Sequence, residues 1–303
     1  FEHPFSMYEQ LFNDATSGAN SVYSYFREAS YGQLSWKSSF IRGGGRKVIS
    51  YRANRGAGIL QGPKGNQDIG YEDEVDKGAG TSLIREVAAW LSDALPEDSP
   101  LDADGDGSWK HVYRAERTFG LSNKYLLWPH RSDLALPDEK AIYIKGKKLV
   151  GYLMVFDDAN GWASLEPIPL NTGVICHEMS HSLGTYDLYH VNDNLNPVGV
   201  WDLMSDNLLV PQQMSGFTRS IAIAVWLDEI PEISEPGTYV LNRSGERRKR
   251  MWLIKSSPSV PKNILWWNTA AGGSTFDGGL PESGLLVYRI NPAYTGGNVN
   301  YNG

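Results

Sequence analysis

Apolar residues recur every fourth position at Leu83, Val87, Leu91 and Leu95, with Ile84 and Ala88 beside them, and Pro96 ends the run. That period predicts an amphipathic helix from about Ser82. Ser6-Met7-Tyr8-Glu9 has the spacing of a capping box, so a helix is expected from there to about Asn13. A second early helix is expected over 22–29, with Tyr25 and Phe26 on its apolar side and Gly32 beyond its end. Lys47 to Tyr51 is a strand candidate, and segments 141–145 and 148–156 flank Gly146-Lys147 as a β-hairpin. A helix is predicted to open near Asn171-Thr172 and close at Gly184, and another to cover 214–229 before Pro231. Short strands at 238–241, 251–255 and 285–290 follow. The pattern predicts an α+β fold, divided near Pro231 into residues 1–230 and a smaller β-rich part at 231–303. That part could also pack into one body with the rest.

The helix at 171–184 holds the chemistry. His177-Glu178-Met179-Ser180-His181 reads H-E-x-x-H. At about 100° per residue the two histidines lie roughly 40° apart on one helix face, so both imidazoles can reach one metal ion. Glu178 falls beside them, where a general base for a zinc-bound water belongs. Ile175, Cys176, Met179 and Leu183 centre on the opposite side, as a core face. Gly184 follows at the interval where a helix can end in a left-handed residue. Asp187, three residues further, completes H-E-x-x-H-x-x-G-x-x-D and is the expected third zinc ligand. His190 is the alternative, imidazole being the commoner zinc donor. Gly199-Val200-Trp201-Asp202-Leu203-Met204 has the form of a Met-turn, with Met204 beneath the ligands.

Two other acidic segments have an ordinary reading beside a functional one. Asp102, Asp104 and Asp106 alternate before Gly107, as in the first half of a calcium loop, but Tyr113 stands where an EF-hand needs Glu. A calcium site completed by a distant carboxylate competes here with a solvated Asp/Gly turn. Asp157-Asp158-Ala159-Asn160-Gly161 is a weaker instance. Arg247-Arg248-Lys249-Arg250, the one basic run, reads as a solvated face.

With 28 basic and 35 acidic residues in 303, the net charge of -7 excludes the footprint of a nucleic-acid binder. One cysteine, Cys176, excludes an intramolecular disulfide and a multi-cysteine zinc site. The longest apolar stretch, 221–227, falls far short of the roughly 20 residues a membrane helix requires. Residue 1 is Phe with no signal-peptide pattern after it, as expected of a mature form or part of a longer chain.

The segment H-E-M-S-H-S-L-G-T-Y-D-L-Y at 177–189, followed by V-G-V-W-D-L-M at 198–204, resembles the immune inhibitor A family of secreted bacterial metallopeptidases, metallopeptidase family six. Ser30-Tyr31-Gly32, Trp128-Pro129-His130 and Gly284-Leu285-Leu286-Val287-Tyr288-Arg289 agree in order. The resemblance implies a metzincin-like zinc endopeptidase with a mixed sheet and a long zinc helix, secreted and carried with further domains. It implies zinc at His177, His181 and Asp187, catalysis by Glu178, and a protein or peptide substrate. The chain departs from such domains in lacking the first strand they usually carry before the early helices. In metzincin-like folds the strand before the zinc helix commonly forms a substrate-pairing edge. Segment 151–156 is thus expected either as that edge or as an interior strand. Tyr186, Tyr189 and His130 are candidates for a second oxyanion stabiliser. A binding or adhesion module on a protease scaffold that has lost turnover is the alternative function, and a zinc hydrolase of non-protein substrates a third.

Overall fold

The computed structural model describes residues 4–40, 51, 79–97, 99, 101–102, 105–106, 108–109, 112–116, 129–156, 158–160, 167–190, 195–221, 230–242, 251–255, 264–270 and 275–290. The fold is α+β, and the chain divides into two compact units. Residues 1–5 and 39–170 form one; residues 6–38 and 171–303 form the other. Pro231 lies inside the second unit, where its neighbour Glu232 bridges to Leu253.

In the first unit, helix α3 (Ala79–Ala94) matches the four-residue apolar period. Its Ile84, Ala88 and Leu91 are buried against Leu134, Ile142, Ile144, Leu149, Tyr152 and Met154. Strands β4 (Ile142–Ile144) and β5 (Lys147–Leu149) make the expected antiparallel hairpin, joined on the β5 side by β1 (Ser108–Trp109) in parallel. The turn falls on Lys145-Gly146, both at positive φ, one residue earlier than the sequence suggests, as a two-residue hairpin turn demands.

The long second arm of that hairpin is in fact two strands. After β5 the Val150 carbonyl accepts from Leu134 N–H at 2.9 Å, and the chain enters a second sheet as β6 (Gly151–Phe156). There β6 lies between β2 (Val112–Glu116), parallel, and β3 (His130–Asp133), antiparallel. Residues 152–154 therefore run between two strands, which favours the interior of the two alternatives over a substrate-pairing edge for that stretch, while Val155 and Phe156 pair with β2 alone among the described residues. A two-stranded antiparallel pair, β7 (Asp158–Asn160) with β8 (Pro167–Pro169), completes the unit.

The second unit is built on helices α1 (Phe5–Asn13, from Ser6 onward), α2 (Val22–Ala29), α4 (Thr172–His181) and α5 (Gly216–Ile221). Ser21 caps α2, its side chain accepting from Ser24 N–H. Tyr25 and Phe26 are fully buried, with Phe276 edge-on to Tyr25 at 5.2 Å between ring centres. Helix α5 begins two residues later than its apolar pattern suggests, because Ser215 stands outside it and accepts from Thr218 N–H. Residues 222–229 lie outside the described set.

Strands β9 (Met251–Lys255), β10 (Ile264–Ala270) and β11 (Gly284–Ile290) form an antiparallel sheet in the order β11-β10-β9. The strand expected at 238–241 does not form. Tyr239 and Val240 are exposed, and the Val240 carbonyl accepts from the Trp252 indole at 3.1 Å instead of from a ladder. The expected strand at 47–51 and the basic run 247–250 fall outside the described residues, except for Tyr51.

Candidate metal centre

Helix α4 starts at Asn171, whose side-chain oxygen accepts from Val174 N–H at 3.1 Å. It is almost wholly buried. Ile175, Cys176 and Met179 have no exposed surface, and burial pushes the Cys176 thiol up, so this cysteine is core. His177 and Glu178 are buried too, and His181 is partly so. The helix ends in a tightened turn, with Gly184 N–H donating to His181 O at 3.1 Å. Gly184 adopts φ 88, a left-handed value that reverses the chain. The return brings Asp187 to the histidines.

Asp187 Oδ1 lies 3.1 Å from His177 Nε2 and 3.3 Å from His181 Nε2. The other ring nitrogens are engaged: His177 Nδ1 donates to Leu203 O at 2.8 Å and His181 Nδ1 to Thr185 O at 3.0 Å. Each imidazole thus turns Nε2 toward one shared point, with its opposite nitrogen fixed by a carbonyl, as metal-ligating histidines do. Donors bound tetrahedrally at zinc distances lie about 3.3 Å apart. The observed separations from Asp187 match, and two imidazoles with one carboxylate are a donor set suited to zinc. Glu178 Oε2 is 3.9 Å from His181 Nε2, at the margin of the same point. Among the described residues, His177, Glu178 and His181 form a group whose potential ligand atoms all lie within 4.8 Å of one another.

The electrostatics follow from this convergence. Burial pulls the His177 pKa down, but the hydrogen bond to Asp187, the charges of Glu178 and Asp187 and the Leu203 carbonyl outweigh it and raise the value to about 9. Burial also opposes the charged form of His181, and the hydrogen bond and charge of Asp187 raise its pKa nonetheless. The Asp187 carboxyl, although burial opposes it, is held well below the usual carboxylate range by the two histidines. Burial, with Asp187 and Glu178 nearby, pushes the Tyr189 hydroxyl up; its ring lies 22° from parallel to His177 at 6.4 Å.

Met204 is fully buried. The Thr185 hydroxyl contacts its sulfur at 3.5 Å, and its carbonyl accepts from Leu188 N–H at 2.8 Å, so the turn at 199–204 is tied to the loop carrying Asp187. His190 is linked through its backbone to Leu195 O, and Tyr186 is exposed. His130 sits on β3 in the first unit, its Nε2 2.9 Å from the Tyr152 hydroxyl.

The acidic loop gives no cation cluster among the described residues. Asp102 pairs with Lys147 at 2.7 Å, Asp106 accepts from Ser108 N–H at 2.9 Å, and Asp104 is outside the described set. A lysine ammonium thus meets a carboxylate that calcium would need. Asp158 and Asn160 belong to β7.

Sequence motifs point to His177, Glu178, His181 and Asp187. They give no sign of the carbonyls of Leu203 and Thr185 that orient the rings, because backbone acceptors carry no residue signature. Among the described residues, no helix is long and apolar enough to cross a membrane. Residues 116–215 match the family model described as immune inhibitor A peptidase M6, catalytic domain. No curated protein matches the chain. The family match supports a metallopeptidase function, hence a protein substrate.

Proposed function

From the premise that residues 116–215 are an immune inhibitor A peptidase M6 catalytic segment, we propose that this protein is a secreted zinc endopeptidase that hydrolyses extracellular proteins. In this reading the site belongs to a metzincin-like domain. His177, His181 and Asp187 hold the zinc, and Met204 packs beneath them. The observation that carries it is the convergence of His177 Nε2 and His181 Nε2 on Asp187 Oδ1. A bound zinc ion supplies Lewis acidity toward a water and toward the scissile carbonyl.

Glu178 moves the protons. Its carboxylate is buried, with Oε2 3.9 Å from His181 Nε2. It accepts a proton from the attacking water and delivers it to the leaving amine, passing from general base to general acid within one turnover. Tyr189 closes one side of the site against the His177 ring.

Casein zymography with and without a zinc chelator tests the reading, together with Glu178→Ala. The wild type should clear casein, lose that activity with chelator and regain it with zinc. The variant should keep stoichiometric zinc and clear nothing. A fully active Glu178→Ala protein defeats the assignment, and a zinc-loaded wild type without turnover favours the adhesion-module alternative.

A further inference from the structure

The turn beneath the histidines contains a buried carboxylate that the chemistry above does not use. Asp202 has no exposed surface. Its Oδ1 accepts Met204 N–H at 2.8 Å, and its Oδ2 accepts Ser215 N–H at 2.8 Å and the Thr218 hydroxyl at 2.6 Å. A carboxylate taken from water is costly unless its lone pairs are met, and here donors from two chain segments meet them. Gln212 braces the other side, donating from Nε2 to Val200 O at 2.9 Å and Asp202 O at 3.2 Å.

The peptide held between these anchors is Leu203, whose carbonyl accepts His177 Nδ1 at 2.8 Å. The two histidines are therefore oriented by different means. His181 uses the Thr185 carbonyl, four residues away on its own turn. His177 depends on a carbonyl 26 residues downstream, whose position follows from how the turn is fastened. Bonding Asp202 to the amide just after Leu203 fixes the plane of the Leu203–Met204 peptide, and with it the direction of that carbonyl.

We propose that Asp202 is a positioning residue for His177: by fastening the 199–204 turn to the start of α5, its carboxylate aims the Leu203 carbonyl and so directs His177 Nε2 at the metal point. Its effect on metal affinity rests on the zinc reading above; the orientation of the ring belongs to the metal-free chain and can be measured without zinc.

The test compares wild type, Asp202→Asn and Thr218→Val in two arms. In the metal-free arm, nitrogen-15 NMR of labelled histidine follows solvent exchange of the His177 Nδ1 proton. In the metal arm, zinc affinity is measured against a chromophoric chelator, and the absorption bands of the cobalt-substituted protein report ligand geometry. Asp202→Asn should speed Nδ1 proton exchange, weaken zinc binding by about 10- to 100-fold and alter the cobalt bands. Thr218→Val should do the same to a smaller extent. A merely structural role would lower the melting temperature and leave the cobalt bands of the folded variant as in the wild type. Folded Asp202→Asn with wild-type exchange, zinc affinity and cobalt bands overturns the proposal. If Asp202→Asn does not fold, Thr218→Val decides: faster exchange supports the proposal and unchanged exchange overturns it. A wild type that binds no zinc defeats the endopeptidase reading, while the exchange arm still judges Asp202.

Discussion

His177 and Asp187, ten residues apart in sequence, meet with Nε2 and Oδ1 3.1 Å from one another, and the same oxygen lies 3.3 Å from His181. A carboxylate held there is charge-complementary to the two imidazoles, and in the proposed reading it is the anionic donor of a two-histidine, one-carboxylate site. The backbone N–H of His190, the competing donor in the sequence, donates to Leu195 O at 2.8 Å. Asp187→Ala should therefore lose stoichiometric zinc after dialysis against a weak chelator, while His190→Ala keeps it. Metal analysis of the two purified variants decides between the residues. Zinc release by His190→Ala alone would reverse the assignment.

The same convergence predicts how stability depends on pH. In the metal-free protein the His177 pKa is raised from 6.5 to about 9, so the stabilisation from its protonated form is fully present below pH 6.5 and is lost as pH rises through about 9. Asp187 is shifted the other way. Its share is present above its ordinary value of 3.8 and is lost as pH falls toward its depressed folded value. Metal requires deprotonated imidazoles, so zinc competes with these protons. The melting temperature of chelator-treated protein should fall between pH 6.5 and 9, while the gap between zinc-loaded and chelator-treated protein widens. Calorimetry of both forms across that range measures this, and a gap that narrows with rising pH contradicts the coupling.

The parts legible in the sequence are those in which residue type and spacing act together. The four-residue apolar period gave α3, and H-E-x-x-H-x-x-G-x-x-D singled out the four side chains that the fold brings together. What stayed hidden depends on neighbours distant in sequence. A continuous apolar run marks 151–156 as a strand but says nothing of what flanks it, and β2 and β3 pair on opposite sides of residues 152–154. Tyr239 and Val240 have β-forming side chains, yet among the described residues no strand pairs with them. The alternating carboxylates of 102–106 look cationophilic, and nothing in their spacing shows that Lys147 of the β4–β5 hairpin pairs with Asp102. The Leu203 carbonyl could not have been foreseen from composition at all.

Gly173 offers the sharpest test of packing around the helix that carries the histidines. Exchanging a helical glycine for alanine ordinarily stabilises a protein by about 0.5–1 kcal/mol. At this position an added Cβ would sit 1.7 Å from the Leu208 carbonyl oxygen and 2.9 Å from its carbon. Those are backbone atoms of the segment following the Met204 turn, held in turn by Gln212, whose side-chain oxygen accepts Leu208 N–H at 3.2 Å. They cannot rotate away as a side chain would. Gly173→Ala should therefore reverse the usual sign and destabilise by about 3 kcal/mol or more, at or above the upper end of overpacking costs. Its zinc affinity should fall with it, because the displaced segment is continuous with the turn that carries Leu203. Urea denaturation of Gly173→Ala beside Asn171→Ala, which loses the helix cap at a cost of about 1 kcal/mol, measures the difference. Equal midpoints for the two variants would mean that the close approach of α4 to Leu208 is relaxed in solution.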